Sequence, residues 1–137
     1  MTLSTADRFE IHELVARYNK AIDTGDATGW ADTFAEDGEF VGLVGTFKGR
    51  DQLEGFVREY VTNPEFAEWA ASQHWTTNLV IDGDGERAEL FAHVMMVHPE
   101  ADGGRIVLVG WYEDRLARID GRWRFTQRIV RSSAPPV

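Results

Sequence analysis

The sequence predicts an α+β fold in which N-terminal helices pack against a curved antiparallel sheet. Apolar residues recur at helical spacing in the first half of the chain, and they alternate with polar residues, as in strands, in the second half. The period changes near residue 72, so helices precede a strand meander, which is the order of an α+β protein. The 137 residues are the length of one domain, and we expect a single domain over residues 1–137.

The first half is expected to hold three helices and one hairpin. Ser4 and Asp7 form a predicted capping box at the start of the first helix, and Gly25 follows its end. Asp26 is expected to cap a short second helix that ends at residues 36–38. The later segments are, in order, a strand or bent hairpin over 39–47, a third helix that starts near residue 49 and ends at Asn63-Pro64, and one or two further turns over 65–71.

The second half is expected to hold the sheet and a tail. Strands are predicted at 74–81, 86–97, 105–119 and 122–130, with tight turns at 83–85 and 120–121. Residues 132–137 are expected to form a mobile tail. The sheet needs a cover on its apolar face, which the long first helix can supply. A sheet that curves around this helix would leave a pocket at one end.

Composition excludes several classes of function. The 23 acidic and 14 basic residues give a net charge of −9, which repels nucleic-acid phosphates and anionic lipids, so we expect neither as a partner. No apolar run approaches the roughly 18 residues of a membrane span, and the N-terminal segment lacks a secretory pattern, so a cytoplasmic protein is expected. The absence of cysteine excludes disulfides, thiolate zinc sites, iron–sulfur clusters and a cysteine nucleophile.

Three polar residues in apolar surroundings are the candidate catalytic residues: Tyr18, Asp23 and His74. A carboxylate in the last turn of a helix faces the negative end of the helix dipole, so Asp23 is disfavoured unless it has a partner. A carboxylate bound to one imidazole nitrogen fixes the tautomer and leaves the other nitrogen as a base. The alternatives are a structural histidine at the start of a strand, an aspartate that serves only the turn, and a core tyrosine.

No motif points to a cofactor or a metal. His93 and His98 lie in or at the end of a strand, and the four histidines lack the spacing of metal ligands, so no metal site is expected. Phosphate-binding glycine loops and the nucleophile elbow of hydrolases are also absent, and we expect no cofactor.

The last predicted strand carries a cluster of arginines. Alternation places Trp123 and Phe125 on one face and Arg122, Arg124 and Arg128 on the other, so a solvated sheet face is the default position of these arginines.

Six loose motifs occur in one order along nearly the whole chain. They are Ile11-x-x-Leu14-x-x-x-Tyr18, Ala21-Ile22-Asp23-x-Gly25-Asp26, Trp30-x-x-x-Phe34-x-x-Asp37-Gly38, Phe47-x-Gly49-Arg50, His74-x-x-Thr77-Asn78-Leu79 and Asp120-Gly121-x-Trp123. Together they resemble the SnoaL-like branch of the nuclear transport factor 2-like superfamily. The resemblance implies a cone-shaped α+β fold and a homodimer or homotrimer.

Within this superfamily the resemblance is to lyases. Asp23 and His74 match the Asp–His pair of scytalone dehydratase and of the hexachlorocyclohexane dehydrochlorinase. Tyr18, five residues before Asp23, matches the Tyr–Asp spacing of bile acid 7α-dehydratase, whereas the dehydrochlorinase has a lysine there.

The same resemblance implies three substrate-binding residues. Phe40 stands where the dehydrochlorinase has a tryptophan, and Arg128 matches an arginine of that enzyme. His98 is the counterpart of the second catalytic histidine of scytalone dehydratase.

We therefore predict a cofactor-free lyase for a small, apolar, cyclic or polycyclic substrate. His74 would remove a proton from carbon, Asp23 would orient His74, and Tyr18 would polarise a carbonyl or protonate the leaving oxygen. An isomerase or polyketide cyclase would use the same pair, and product mass separates these from a lyase. A non-catalytic binding or assembly module is the third hypothesis, and it predicts that Asp23 and His74 lie apart or that side chains fill the cavity.

Self-association is also predicted from the aromatic residues of the last strands. Trp111, Tyr112, Trp123 and Phe125 are too many for the interior of a small domain, so part of this set is expected on an exposed, self-associating face.

Overall fold

A computed structural model describes residues 2–132, and helices dominate its first half. The helices are α1 (Thr5–Asp23), α2 (Ala27–Ala31), α3 (Arg50–Thr62) and α4 (Ala67–Ala70), and a 3₁₀ turn (Pro64–Phe66) precedes α4. The predicted capping box is present, because the Ser4 hydroxyl accepts a hydrogen bond from the Asp7 amide and the Asp7 carboxylate accepts one from the Ser4 amide. Asp26 caps α2 as predicted.

Six strands form one curved, unclosed sheet. They are β1 (Phe34–Val41), β2 (Thr46–Lys48), β3 (Gln73–Gly83), β4 (Arg87–Glu100), β5 (Gly103–Ile119) and β6 (Arg122–Ser132), in the spatial order β2-β1-β6-β5-β4-β3. Four of the six strands follow residue 72, as predicted. The sheet is mixed rather than antiparallel, because β1 pairs with β6 in the parallel sense.

Two predicted boundaries are wrong. Residues 36–38 do not end α2 but lie within β1, where pairing with β6 overrides their turn-like composition. Ser132 belongs to β6 rather than to a tail, and the rest of the predicted tail lies outside the described residues. Among residues 2–132, no helix is both long and apolar enough to cross a bilayer.

A β-bulge in β6 reverses the predicted direction of Arg128. Pairing with β5 passes from Phe125–Leu116 to Gln127–Arg115, so Thr126 is an extra residue in β6. An extra residue shifts the alternation of side chains by one position. Arg128 therefore faces the interior with no exposed surface, and its predicted position on a solvated face is wrong.

The core lies between α1, α3 and the concave face of the sheet. Tyr112, Trp123 and Phe125 are buried there. Trp111 is half-buried and lies outside this core, so the expectation that not all four aromatic residues are interior holds for Trp111 alone. The exposed large apolar residues of the sheet are instead Trp75, Val80, Phe91, Ile106 and Val109 on β3, β4 and β5. Register pairs Trp75 with Met95 and Met95 with Val109, which makes one apolar row across the outer face of the sheet.

Candidate active site

Asp23 and His74 are joined by a short hydrogen bond between the end of α1 and the start of β3. His74 Nδ1 lies 2.6 Å from Asp23 Oδ1. The His74 backbone amide also donates to both carboxylate oxygens, at 3.2 and 3.0 Å. These donors supply the partner that a carboxylate at the negative end of a helix needs. The hydrogen bond that the sequence predicts is thus present.

This contact fixes the protonation pattern of the imidazole ring. Because the Asp23 carboxylate accepts the hydrogen bond, Nδ1 carries the proton in the neutral ring and Nε2 keeps its lone pair. Nε2 has no hydrogen-bond partner among residues 2–132. The side chains of His74 and Asp23 are 11% and 20% exposed, so the pair is largely shielded from water. An oriented, shielded imidazole with one free nitrogen is the geometry of a general base.

His74 lines an aromatic pocket within the cone. The pocket contains about 490 Å³ of empty space, including its open mouth. Its lining residues come from both helices and strands: Tyr18, Phe40, Gly42, Leu43, Val44, Phe56, Tyr60, Trp69, His74, Val94, Met96, Leu108, Tyr112 and Val130. None of these carries a permanent charge, so an uncharged, mostly apolar ligand matches the pocket.

Tyr18 and Tyr112 form a pair of phenols in this lining. Their ring centroids are 6.1 Å apart at an interplanar angle of 80°. Burial raises the pKa of Tyr18 well above its usual value, and the neighbouring Tyr112 adds to this effect. Burial also raises the pKa of Tyr112. Both phenols are therefore protonated at neutral pH. Their hydroxyls hydrogen-bond to each other, so one of the two hydroxyl protons is left to donate to a ligand.

A buried cation lies behind this pair of phenols. The Arg128 guanidinium carbon is 3.4 Å from the centroid of the Tyr112 ring and 4.3 Å from that of Tyr18, which is cation–π geometry. Arg128 Nε donates to Asp114 Oδ1 at 3.1 Å across the β5–β6 pair, and both side chains are fully buried. The Arg128 charge opposes the rise in both tyrosine pKa values, so it makes each phenol a stronger donor than burial alone would leave it.

The structure brings some of the predicted site residues together and separates others. Tyr18, Phe40 and His74 line the pocket, and Asp23 lies behind His74. Arg128 is not a lining residue, because the rings of Tyr18 and Tyr112 lie over it.

The sixth predicted site residue, His98, lies away from the pocket lining, with Nδ1 3.6 Å from Glu100 near the end of β4. Across the described part of the chain, no group of three or more His, Asp or Glu side chains is placed to hold a metal ion.

Sequence reasoning did not place the other two tyrosines of the lining, Tyr60 and Tyr112, in the site. Both occur in apolar stretches, where a tyrosine is usually a core residue. The signal that was available is the rarity of tyrosine: the chain has only three, and the structure places all of them in one pocket.

Comparison with known proteins places the chain in a family. The model of the SnoaL-like domain matches residues 4–129. No curated protein sequence matches the chain. Rv3472 of Mycobacterium tuberculosis, a protein of unknown function, is 31% identical with a TM-score of 0.80, over 95% of this chain and 73% of that one.

Two further structures show the same fold at lower identity. A Nostoc punctiforme protein of unknown function with a cystatin-like fold has a TM-score of 0.86 at 24% identity, over 98% of each chain. A Novosphingobium aromaticivorans structure titled "Putative Scytalone Dehydratase" has a TM-score of 0.77 at 22% identity, over 94% of this chain and 85% of that chain. The match over residues 4–129 covers most of the sequence, and the chain belongs to the SnoaL-like domain family.

Proposed function

We propose that this protein is a lyase that removes water or another leaving group from a small, uncharged, apolar cyclic substrate without a cofactor. The observation that carries the proposal is the 2.6 Å hydrogen bond between His74 and Asp23 at the wall of an aromatic pocket. A pocket without permanent charges among its lining residues favours a neutral substrate. Its aromatic lining favours a flat ring system over a flexible chain.

The reaction follows from the position of each group. His74 Nε2 takes a proton from a carbon next to a carbonyl, and the electron pair of that C–H bond forms a new C=C bond. The C–O bond of a hydroxyl on the adjacent carbon breaks, and this hydroxyl leaves as water with a proton returned from the imidazolium or a phenol. The step changes no oxidation state overall and requires no external reductant or oxidant.

Asp23 and Tyr18 assist at the two ends of this proton transfer. Asp23 holds the tautomer that exposes the Nε2 lone pair and stabilises the imidazolium once it forms. Tyr18 donates a hydrogen bond to the carbonyl oxygen as negative charge develops there, which is the usual role of an oxyanion donor. General-base assistance of this kind contributes about 10²–10⁴-fold to the rate.

A cyclic β-hydroxyketone, 3-hydroxy-1-tetralone, is a direct probe of this reaction. Loss of one water converts it to 1-naphthol, which fluorescence and mass spectrometry detect. Hydrogen–deuterium exchange at C2 of 1-tetralone in D₂O reports the proton-transfer step by itself. An isomerase or cyclase would catalyse the exchange but leave the mass of the β-hydroxyketone unchanged.

Matched variants assign the activity to the pair. We expect His74→Gln and Asp23→Asn to lose about 10²-fold or more of both activities with the fold intact. His93→Gln is the control, because His93 is exposed and its Nδ1 lies 2.9 Å from Asn78 Nδ2, outside the pocket lining. Unchanged specific activity in folded His74→Gln protein would refute the mechanism. Binding of 1-naphthol without any exchange or elimination would instead favour a non-catalytic binding module.

A further inference from the structure

The pocket contains a third phenol, Tyr60 of α3, that the proposed reaction does not use. Tyr60 lines the same pocket as His74 but comes from the helical side of the cone. Only 5% of the residue is exposed. Its hydroxyl is buried and has no hydrogen-bond partner among the described residues.

Tyr60 has different immediate ring neighbours from Tyr18 and Tyr112. Its ring packs against Phe56, at a centroid distance of 5.7 Å, and against Phe66 at 6.4 Å. Tyr18 and Tyr112, in contrast, lie over the Arg128 guanidinium. The pocket therefore has two polar points with different surroundings, one above a buried cation and one in a row of neutral rings.

A buried hydroxyl without a partner has a physical cost that calls for an explanation. Nearly all buried polar groups in proteins are hydrogen-bonded, because desolvation without a new bond is unfavourable. Phenylalanine would fill the same space with the same ring and avoid this cost. Burial, with a contribution from the negative charge of Asp23, raises the pKa of Tyr60, so its hydroxyl keeps its proton and can donate it in a hydrogen bond. A ligand in the pocket is the partner that this donor lacks.

We propose that Tyr60 is a specificity-determining residue whose hydroxyl binds a second oxygen of the substrate, remote from the carbonyl that Tyr18 binds. The proposal rests on the proposed function and narrows its substrate class to uncharged cyclic molecules with at least two separate oxygen substituents. A site that hydrogen-bonds a substrate oxygen rejects analogues without that oxygen, because their binding leaves a buried polar group unpaired.

Binding measurements with defined probes test this assignment without catalysis. The probes are naphthalene, 1-naphthol, and a panel of dihydroxynaphthalenes that differ in the separation of their hydroxyls (1,3-, 1,5-, 1,6- and 1,7-). Dissociation constants are measured for the wild type, Tyr60→Phe and the control Thr62→Val. Thr62 also lies on α3, but its hydroxyl is exposed and donates to the Arg58 carbonyl at 2.8 Å.

We expect at least one diol to bind the wild type about 3- to 10-fold more tightly than 1-naphthol, the gain of one neutral hydrogen bond. Tyr60→Phe should lose this gain and keep its affinity for 1-naphthol, and Thr62→Val should change neither. The urea midpoint of Tyr60→Phe should be no lower than that of the wild type, since no hydrogen bond of the folded protein is removed.

Three results would overturn the proposal: no diol binds more tightly than 1-naphthol, the gain persists in Tyr60→Phe, or Tyr60→Phe unfolds at lower urea. The last result would show that the hydroxyl has a structural partner. None of these three results depends on His74. Tyr60→Phe could lose the affinity gain for the diol while hydrogen–deuterium exchange of 1-tetralone proceeds without His74. That combination would support this inference and refute the proposed function.

Discussion

The buried carboxylate of Asp114 makes the stability of the fold depend on pH. Asp114 is 4% exposed, and one of its oxygens accepts from Arg128 while the other has no partner among residues 2–132. Burial raises the pKa of Asp114 from an ordinary value of 3.8 to about 6, against the opposing effect of the Arg128 charge. The folded protein thus binds this proton more tightly than the unfolded chain does.

The sign and size of the effect follow from proton linkage. Because the pKa is higher in the folded state, Asp114 contributes stability at low pH, and this contribution is lost as the pH rises towards 6. A rise from 3.8 to about 6 corresponds to about 3 kcal/mol in full. Between pH 4.5 and 7.5, about 2 kcal/mol of it should disappear.

Asp114→Asn isolates this contribution, because the amide is neutral at every pH and nearly the same shape. Urea unfolding, followed by the fluorescence of the five tryptophans, gives the free energy of unfolding of both proteins at pH 4.5 and 7.5. The free energy of unfolding of the variant minus that of the wild type should be about 2 kcal/mol larger at pH 7.5 than at pH 4.5. The contributions of all other titrating groups cancel in this difference. Asp82→Asn, at an exposed position, is the control. A difference that stays constant with pH would refute the reasoning.

Two further predictions concern the backbone and the outer face of the sheet. Gly55→Ala should raise the free energy of unfolding by about 0.5–1 kcal/mol, because Gly55 lies inside α3 and nothing lies within 4 Å of an added Cβ. Gly110→Ala should lower it by about 1–3 kcal/mol, because the added Cβ would lie 2.1 Å from the Arg131 carbonyl oxygen. A urea midpoint equal to that of the wild type in either variant would contradict the prediction for that variant. Light scattering of the wild type at micromolar concentration should give the mass of a dimer or trimer. Val109→Glu should reduce this mass to that of a folded monomer, because Val109 is 52% exposed in the apolar row of the outer face. A monomeric wild type would contradict this last prediction.

The Asp23–His74 contact was predictable from a local signal at each residue together with the family resemblance, which places both at the positions of the Asp–His pair. Asp23 lies at the end of a helix where its charge is disfavoured, and His74 lies at the start of a strand. The packing of the long helix on the sheet, which the α+β order predicts, allows the end of this helix to contact the start of a strand.

The position of Arg128 was not predictable, because it depends on one inserted residue. Strict alternation sends Arg128 to the solvent, and the bulge at Thr126 turns it inward. No local pattern marks the bulge, because its cause is the pairing of β6 with β5. The parallel pairing of β1 with β6 is likewise a long-range property, and it explains why residues 36–38 extend a strand despite their turn-like composition.

A pocket was expected at one end of the curved sheet, but the residues that line it were the least predictable feature. Hydrophobic periodicity identifies the buried face of each element, but it does not show where opposing faces fail to fill the space between them. Tyr60 and Tyr112 therefore have the sequence pattern of ordinary core residues. Only the packing of α3 against the sheet shows that their hydroxyls share a pocket with His74.

The protonation states of the pocket residues determine which of them can donate a hydrogen bond and which can accept a proton. Burial raises the pKa of Tyr18 and of Tyr60, so each phenol can donate a hydrogen bond but cannot accept a proton from carbon. Arg128 opposes this rise in the pKa of Tyr18, so its charge makes the Tyr18 hydroxyl a stronger hydrogen-bond donor in the reaction that we propose. Nε2 of His74 is then the basic atom that remains in the lining, because Asp23 engages Nδ1 and lies behind the ring. In the reaction that we propose, His74 is therefore the proton acceptor and Tyr18 polarises the carbonyl, as an elimination through an enolate requires.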